Sequence, residues 1–163
     1  MHLLRPFLIF VAAALLATAC GSAEVEVGTG PDEAPAVSID IDVKPVITIP
    51  AEDPPAALVT TDLVVGDGDE AVLGSTVEVD YVGVSWSTGA EFDASWNRGQ
   101  PFSFGLGGGM VIQGWDQGVA GMKIGGRRRL TIPPHMGYGA AGAGGVIGPN
   151  ETLIFTVDLR SLG

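Results

Sequence analysis

Cysteine is almost missing from this chain of 163 residues, with Cys20 its single example. That excludes an internal disulfide framework, a paired redox motif and a cysteine-rich zinc site. Histidine is equally scarce: His2 and His135 are too few for a histidine-based metal cluster, and no metal or other cofactor is expected. Positive charge is short as well. Eight Lys and Arg against nineteen Asp and Glu leave a net charge of −11, with no surplus to displace the counterions of a nucleic acid. What the chain has in abundance is 25 glycines and 11 prolines, which suit a turn-rich domain joined to a flexible region rather than a helical bundle. The length accommodates one ordinary domain plus extra sequence, and no internal repeat is evident.

The lone cysteine has a context. MHLLRPFLIFVAAALLATAC opens with a basic residue, Arg5, followed by an apolar run from Phe7 to Ala17 and then small residues. This is the layout of a secretory signal, and the apolar run is too short for a membrane-spanning helix. Ala17-Thr18-Ala19-Cys20 resembles a bacterial lipoprotein processing site, although Ala17 stands where that pattern more often has Leu. The reading is a signal peptide over 1–19 and lipidation of Cys20, anchoring an extracytoplasmic protein to the bacterial cell membrane. Ordinary cleavage near Cys20 would instead leave an incidental thiol.

Residues 20–57 follow as a lipidated cysteine and an acidic, proline-rich tether. From Gly21 to Ala57 there is no aromatic residue, and such composition cannot bury enough surface to offset ordering entropy. About 37 flexible residues span roughly 35 Å. Within them Ser38 to Lys44 alternates polar and apolar residues with strand period, which suits addition to a sheet edge; otherwise it is solvated tether.

Every aromatic residue beyond the signal lies between Tyr81 and Phe155, which places the core in a domain over 58–163. Val77, Val79 and Tyr81 alternate with Glu78 and Asp80, and Leu153, Phe155, Val157 and Leu159 with Ile154, Thr156, Asp158 and Arg160. Residues 58–65, 127–132 and 101–104 are further strand candidates, separated by glycine-rich turns. One helix is expected, over 111–121, where Ile112, Trp115, Val119 and Met122 recur at helical spacing. Gly114, Gly118 and Gly121 each weaken it by about 1 kcal/mol relative to Ala, so packing has to hold it. The fold class is α+β: an antiparallel sheet of about five strands wrapped around one short helix. The run Arg127-Arg128-Arg129 falls on alternate faces of a strand and reads as structural or solvated. Trp96 reads as a pocket-rim or surface aromatic.

Several blocks together carry a resemblance. Val79-Asp80-Tyr81-Val82-Gly83, Glu91-Phe92-Asp93-Ala94-Ser95, Gln100-Pro101-Phe102-Ser103-Phe104, Val111-Ile112-Gln113-Gly114-Trp115 and Leu130-Thr131-Ile132-Pro133 are similar to the FKBP-type peptidyl-prolyl cis-trans isomerases, the macrolide-binding immunophilins. Tyr138-Gly139-Ala140 and the last strand continue the match. The resemblance implies a prolyl pocket with Trp115 as its floor and Tyr81, Phe92 and Phe155 as walls. Asp93 and Tyr138 join Tyr81, Phe92 and Trp115 as the catalytic set, with Arg98 placed to pair with Asp93. Phe102, Val111, Ile112 and Phe155 bind substrate, Ile112 through a backbone N–H of the first helical turn, which has no intrahelical partner. Met136 and the glycine-rich stretch 144–149 depart from the family's usual residues.

The implied activity is acceleration of X-Pro bond rotation in exported proteins, through an apolar pocket and without covalent catalysis. Proline-containing exported polypeptides are the expected partners, with macrolides such as tacrolimus or rapamycin as ligands, the membrane reached through Cys20, and a monomeric protein. Two other readings use the same residues differently. One is a proline-peptide binding or chaperone module with little turnover; the other is an envelope interaction protein acting through its acidic tail.

Overall fold

The computed structural model describes residues 38–163. The expected signal peptide, Cys20 and the first part of the expected tether lie outside them. Six strands form one antiparallel sheet: β1 (Val59–Val64), β2 (Thr76–Ser85), β3 (Glu91–Ala94), β4 (Phe102–Gly105), β5 (Arg127–Ile132) and β6 (Leu153–Leu162). Their order is β1-β5-β6-β2-β3, and β4 pairs with β2 alongside β3. The five strand regions expected from the sequence are all present. The unread one is the four-residue β3.

The helix α1 forms only over Gln113–Gly118, well inside the expected 111–121. Ile112 is extended at its N-cap and offers no side-chain cap, and the glycines give the ends no propensity to continue. Two of those glycines explain the sequence of the helix. A Cβ at Gly114 would lie 2.5 Å from the Ile132 side chain, and one at Gly118 would lie 2.7 Å from that of Leu130. Glycine lets α1 sit directly on β5. Arg128 then reaches over from β5, and its Nη1 donates to the carbonyls of Gly118 and Ala120 at 3.0 and 3.1 Å, complementing the negative end of the helix. At the other end, the Asp116 carboxylate accepts from the N–H groups of Gly107 and Gly109, fastening the preceding loop.

The main core lies between α1 and the sheet, where Val77, Val79, Leu130, Ile132, Leu153, Val157 and Leu159 surround Trp115 and Val119. The alternation in β6 predicts a solvated opposite face. Instead Ile154, Thr156 and Asp158 are completely buried. A second cluster covers that face, with Val82, Val84, Ala94 and Ile154 packed against Ile47, Ile49, Trp86 and Trp96. Trp96 therefore belongs to the far side of the sheet and not to the rim of a pocket.

Ile47 and Ile49 come from the segment read as tether. Ser38 to Lys44 is not a sheet-edge strand; it folds into a turn closed by Val43 N–H donating to Asp40 O at 3.2 Å, with Ile39 and Val43 still exposed. Its carbonyls serve two arginines. The fully buried Arg127 makes a bidentate pair with Asp158 at 2.5 and 2.7 Å, and donates to Ser38 O and Val43 O at 2.5 and 2.9 Å. Arg160 bonds Asp80, Asp42 and Ile41 O, and its guanidinium lies 5.5 Å from the Trp96 ring centroid. The arginine run thus has a structural use, as expected, and its first member ties the N-terminal segment down.

Candidate active site

The cleft opens between α1, the pocket-facing side of β2, β3 and β6, and the loop after β5. It encloses about 620 Å³. Tyr81 comes from β2, Phe92 and Asp93 from β3, Phe102 from β4, Phe155 from β6, and Val111, Ile112 and Trp115 from the start of α1. Tyr138 comes from the loop, so all nine residues singled out in the sequence line one cavity.

Trp115 is the hub of its floor. Its ring stands edge-on to Tyr81 at 5.0 Å and to Phe155 at 5.2 Å between centroids, with Phe104 beneath at 5.5 Å and Phe102 at 6.2 Å. Such edge-to-face contacts contribute about 0.5–1.5 kcal/mol each beyond burial. The indole N–H meets no acceptor among the described residues, so packing alone positions the ring. Phe92 stands edge-on to Phe155 at 5.4 Å. This wall depends on Gly83, where a Cβ would come within 2.7 Å of both phenyl rings.

The polar groups occupy one side. Asp93 accepts from the Tyr81 hydroxyl through a short hydrogen bond and from Arg98 Nη1 at 2.5 Å, while Arg98 Nη2 donates to the Tyr81 oxygen at 2.9 Å. Burial pushes the Asp93 carboxyl up, but the hydrogen bonds from Tyr81 and Arg98 outweigh it and hold the group below its ordinary value. Burial, and then the bond to Asp93, push the Tyr81 hydroxyl up to about 12, so it remains a donor at neutral pH. Tyr138 is half-exposed; burial first and the nearby Asp93 charge second raise its pKa as well. The Ile112 N–H lies at the extended N-cap of α1, and no backbone acceptor among the described residues takes it up.

Five lining residues escape the sequence reading: Met110, Ala143, Gly144, Val146 and Ile147. Ala143 and Ile147 exchange N–H···O bonds of 3.0 Å, bending the loop into a flap beside Tyr138. Gly142 opens the bend at φ 62°, with no room for a side chain against Ile147 O. The available signal is a large apolar residue stranded among glycines, as Met110 and Val146 are. Both are mostly exposed.

A family model described as FKBP-type peptidyl-prolyl cis-trans isomerase matches residues 68–160. The chain belongs to that family. It is 61% identical over 117 residues to an FK506-binding protein of Streptomyces anulatus, covering 71% of this chain and 94% of the relative. To a probable FK506-binding protein of Corynebacterium glutamicum it is 51% identical over 118 residues, covering 72% and 98%. The crystal structure of AtFKBP13 superposes with a TM-score of 0.62 at 40% identity, over 68% of this chain and 96% of that one. The expected α+β fold is thereby established, and this FKBP-type isomerase has an aromatic cleft lined by Tyr81, Phe92, Phe102, Trp115 and Phe155. The family-model match begins at residue 68, after both the docked N-terminal segment and β1.

Proposed function

We propose that this isomerase accelerates X-Pro rotation in exported polypeptides while anchored to the outer side of the cell membrane by lipid on Cys20. The observation that carries the catalytic part is the cleft floored by Trp115 and walled by Tyr81, Phe92 and Phe155. Amide resonance sets a barrier of about 18–20 kcal/mol to rotation. Twisting the bond removes that resonance and makes the imide less polar, so an apolar, water-poor cleft suits the twisted state better than the planar one. The proline ring rests on Trp115. The Ile112 N–H and the Tyr138 hydroxyl each hold a backbone carbonyl beside the imide. Asp93, kept ionised by Arg98 and Tyr81, fixes the tyrosine in the wall.

An exchange assay on an X-Pro peptide tests this reading. Uncatalysed exchange takes roughly 10–100 s at 25 °C; the full chain is expected to shorten it, and rapamycin to abolish the acceleration. Tight rapamycin binding with no acceleration would instead identify a module that holds proline segments without turning them over.

Two substitutions refine the proposal. Tyr138→Phe deletes one hydroxyl and keeps the ring. One hydrogen bond contributes about 0.5–1.5 kcal/mol net, so rapamycin affinity should weaken roughly two- to twelvefold by calorimetry. Cys20→Ser should move the protein from the membrane fraction to the soluble exported fraction without altering peptide isomerisation. A wild type that is already soluble and carries no acyl group by mass spectrometry would sink the anchor.

A further inference from the structure

The strand that supplies Phe92 and Asp93 is held to the sheet on one side only. β3 is an edge strand that pairs only with β2, through three residue partners and an irregularity at Gly83/Val84. Next come the 3-10 turn Ser95–Asn97 and then Arg98, which holds Asp93. The two ends of this excursion are joined outside the cleft: Asn97 Nδ2 donates to Glu91 Oε1 at 2.8 Å.

A third group completes that junction, and it comes from the N-terminal segment. Lys44 Nζ lies 3.0 and 2.9 Å from the two Glu91 carboxylate oxygens and donates to Asn97 Oδ1 at 2.8 Å. It therefore grips the residue before Phe92 and the residue before Arg98 at once. The backbone that presents Lys44 is itself fixed on both sides. Val43 O accepts from the buried Arg127, and Ile47 and Ile49 pack against the far face of the sheet.

We propose that Lys44 is a positioning residue for the cleft, with the docked segment Ser38–Ile49 setting the placement of Phe92 and Asp93 through Glu91 and Asn97. The segment acts on the pocket without touching a ligand, and it precedes residues 68–160, the span matched by the family model. This rests on the proposed use of the cleft for prolyl ligands.

The test uses the full chain with Lys44→Met, Lys44→Arg and Asn97→Ala. Partly exposed ion pairs are individually weak, so Lys44→Met should weaken rapamycin binding by about two- to fivefold. The Phe92 ring resonances should shift in NMR spectra while the unfolding midpoint stays close to wild type. Lys44→Arg should restore both readouts. Asn97→Ala should weaken binding similarly, and the double variant Lys44→Met/Asn97→Ala should lose no more than either single one. The proposal is overturned if Lys44→Met leaves affinity and the Phe92 resonances unchanged. It is equally overturned if its losses follow a lowered midpoint and Lys44→Arg does not recover them. Should wild type fail to bind rapamycin, the cleft's assignment fails, and the Phe92 resonances still decide what Lys44 does.

Discussion

Arg127→Met should destabilise this protein more than any substitution inside its cleft. The guanidinium is completely buried against a completely buried Asp158, and it also takes up the carbonyls of Ser38 and Val43. Removing one partner of such a pair leaves an uncompensated charge and costs about 3–5 kcal/mol, a large part of the roughly 5–15 kcal/mol that holds a domain together. Burial already pushes the Asp158 carboxyl above its ordinary value despite Arg127. An acid whose pKa is raised by folding contributes most stability when protonated, and that contribution is lost as pH rises toward the folded value. The deficit of Arg127→Met, measured by denaturant unfolding, should accordingly shrink as pH falls into the carboxylate range. Arg127→Met/Asp158→Leu should recover much of the loss, because a well-packed apolar pair can replace a buried ionic one. Faster proteolysis within 38–49 should accompany the single variant. A single variant as stable as wild type at neutral pH would contradict the buried pair.

Trp115→Leu should have the largest effect on ligand binding. The indole touches Tyr81, Phe102, Phe104 and Phe155, so it is floor and core together. Losing about 50–100 Å² of contact at about 25 cal/mol per Å² removes roughly 1–2.5 kcal/mol of binding. That corresponds to roughly a five- to seventyfold weaker Kd for rapamycin, more than Tyr138→Phe costs. Stability should fall too, by about 2–3 kcal/mol, since the smaller side chain leaves part of the core unfilled. Turnover should drop less than affinity, because leucine still excludes water from the imide. Calorimetry and peptide exchange on material that unfolds cooperatively separate the two effects. Wild-type binding and turnover in this variant would make Trp115 ordinary core and misplace the pocket.

The residues of the cleft were legible because each stands in a short block whose spacing is kept: Phe92-Asp93, Phe102, Val111-Ile112 and Trp115 all line one cavity. β2 and β6 were legible from alternation, and β1, β4 and β5 as strand candidates separated by glycine-rich turns. The helix was read too long, since periodicity in Ile112, Trp115, Val119 and Met122 continues beyond the turn where glycine lets the chain bend away. The docked segment was legible only as a strand-period stretch within a tether. It has no aromatic residue, and its turn is fixed by Arg127 and Arg160, which lie 84 to 119 positions further along. The local alternation of Ser38 to Lys44 points to a strand and not to the turn that forms. The same distance hid the burial of Ile154, Thr156 and Asp158, because the cover for that face comes from the opposite end of the sequence.

The position of β6 determines when this sheet can assemble. The strand β6 lies between β5 and β2, and it pairs from Val77↔Leu162 to Ser85↔Leu153, with one bulge at Glu78/Val79, on one side and with Arg127 to Ile132 on the other. Until β6 has emerged, β2 lacks its longest partner and β1–β5 forms a separate ribbon. Closure over such sequence separations is slow relative to local structure, and unpaired strand edges invite association with other chains. A nascent copy of this folding catalyst therefore passes through a stage in which it is itself an unfinished client.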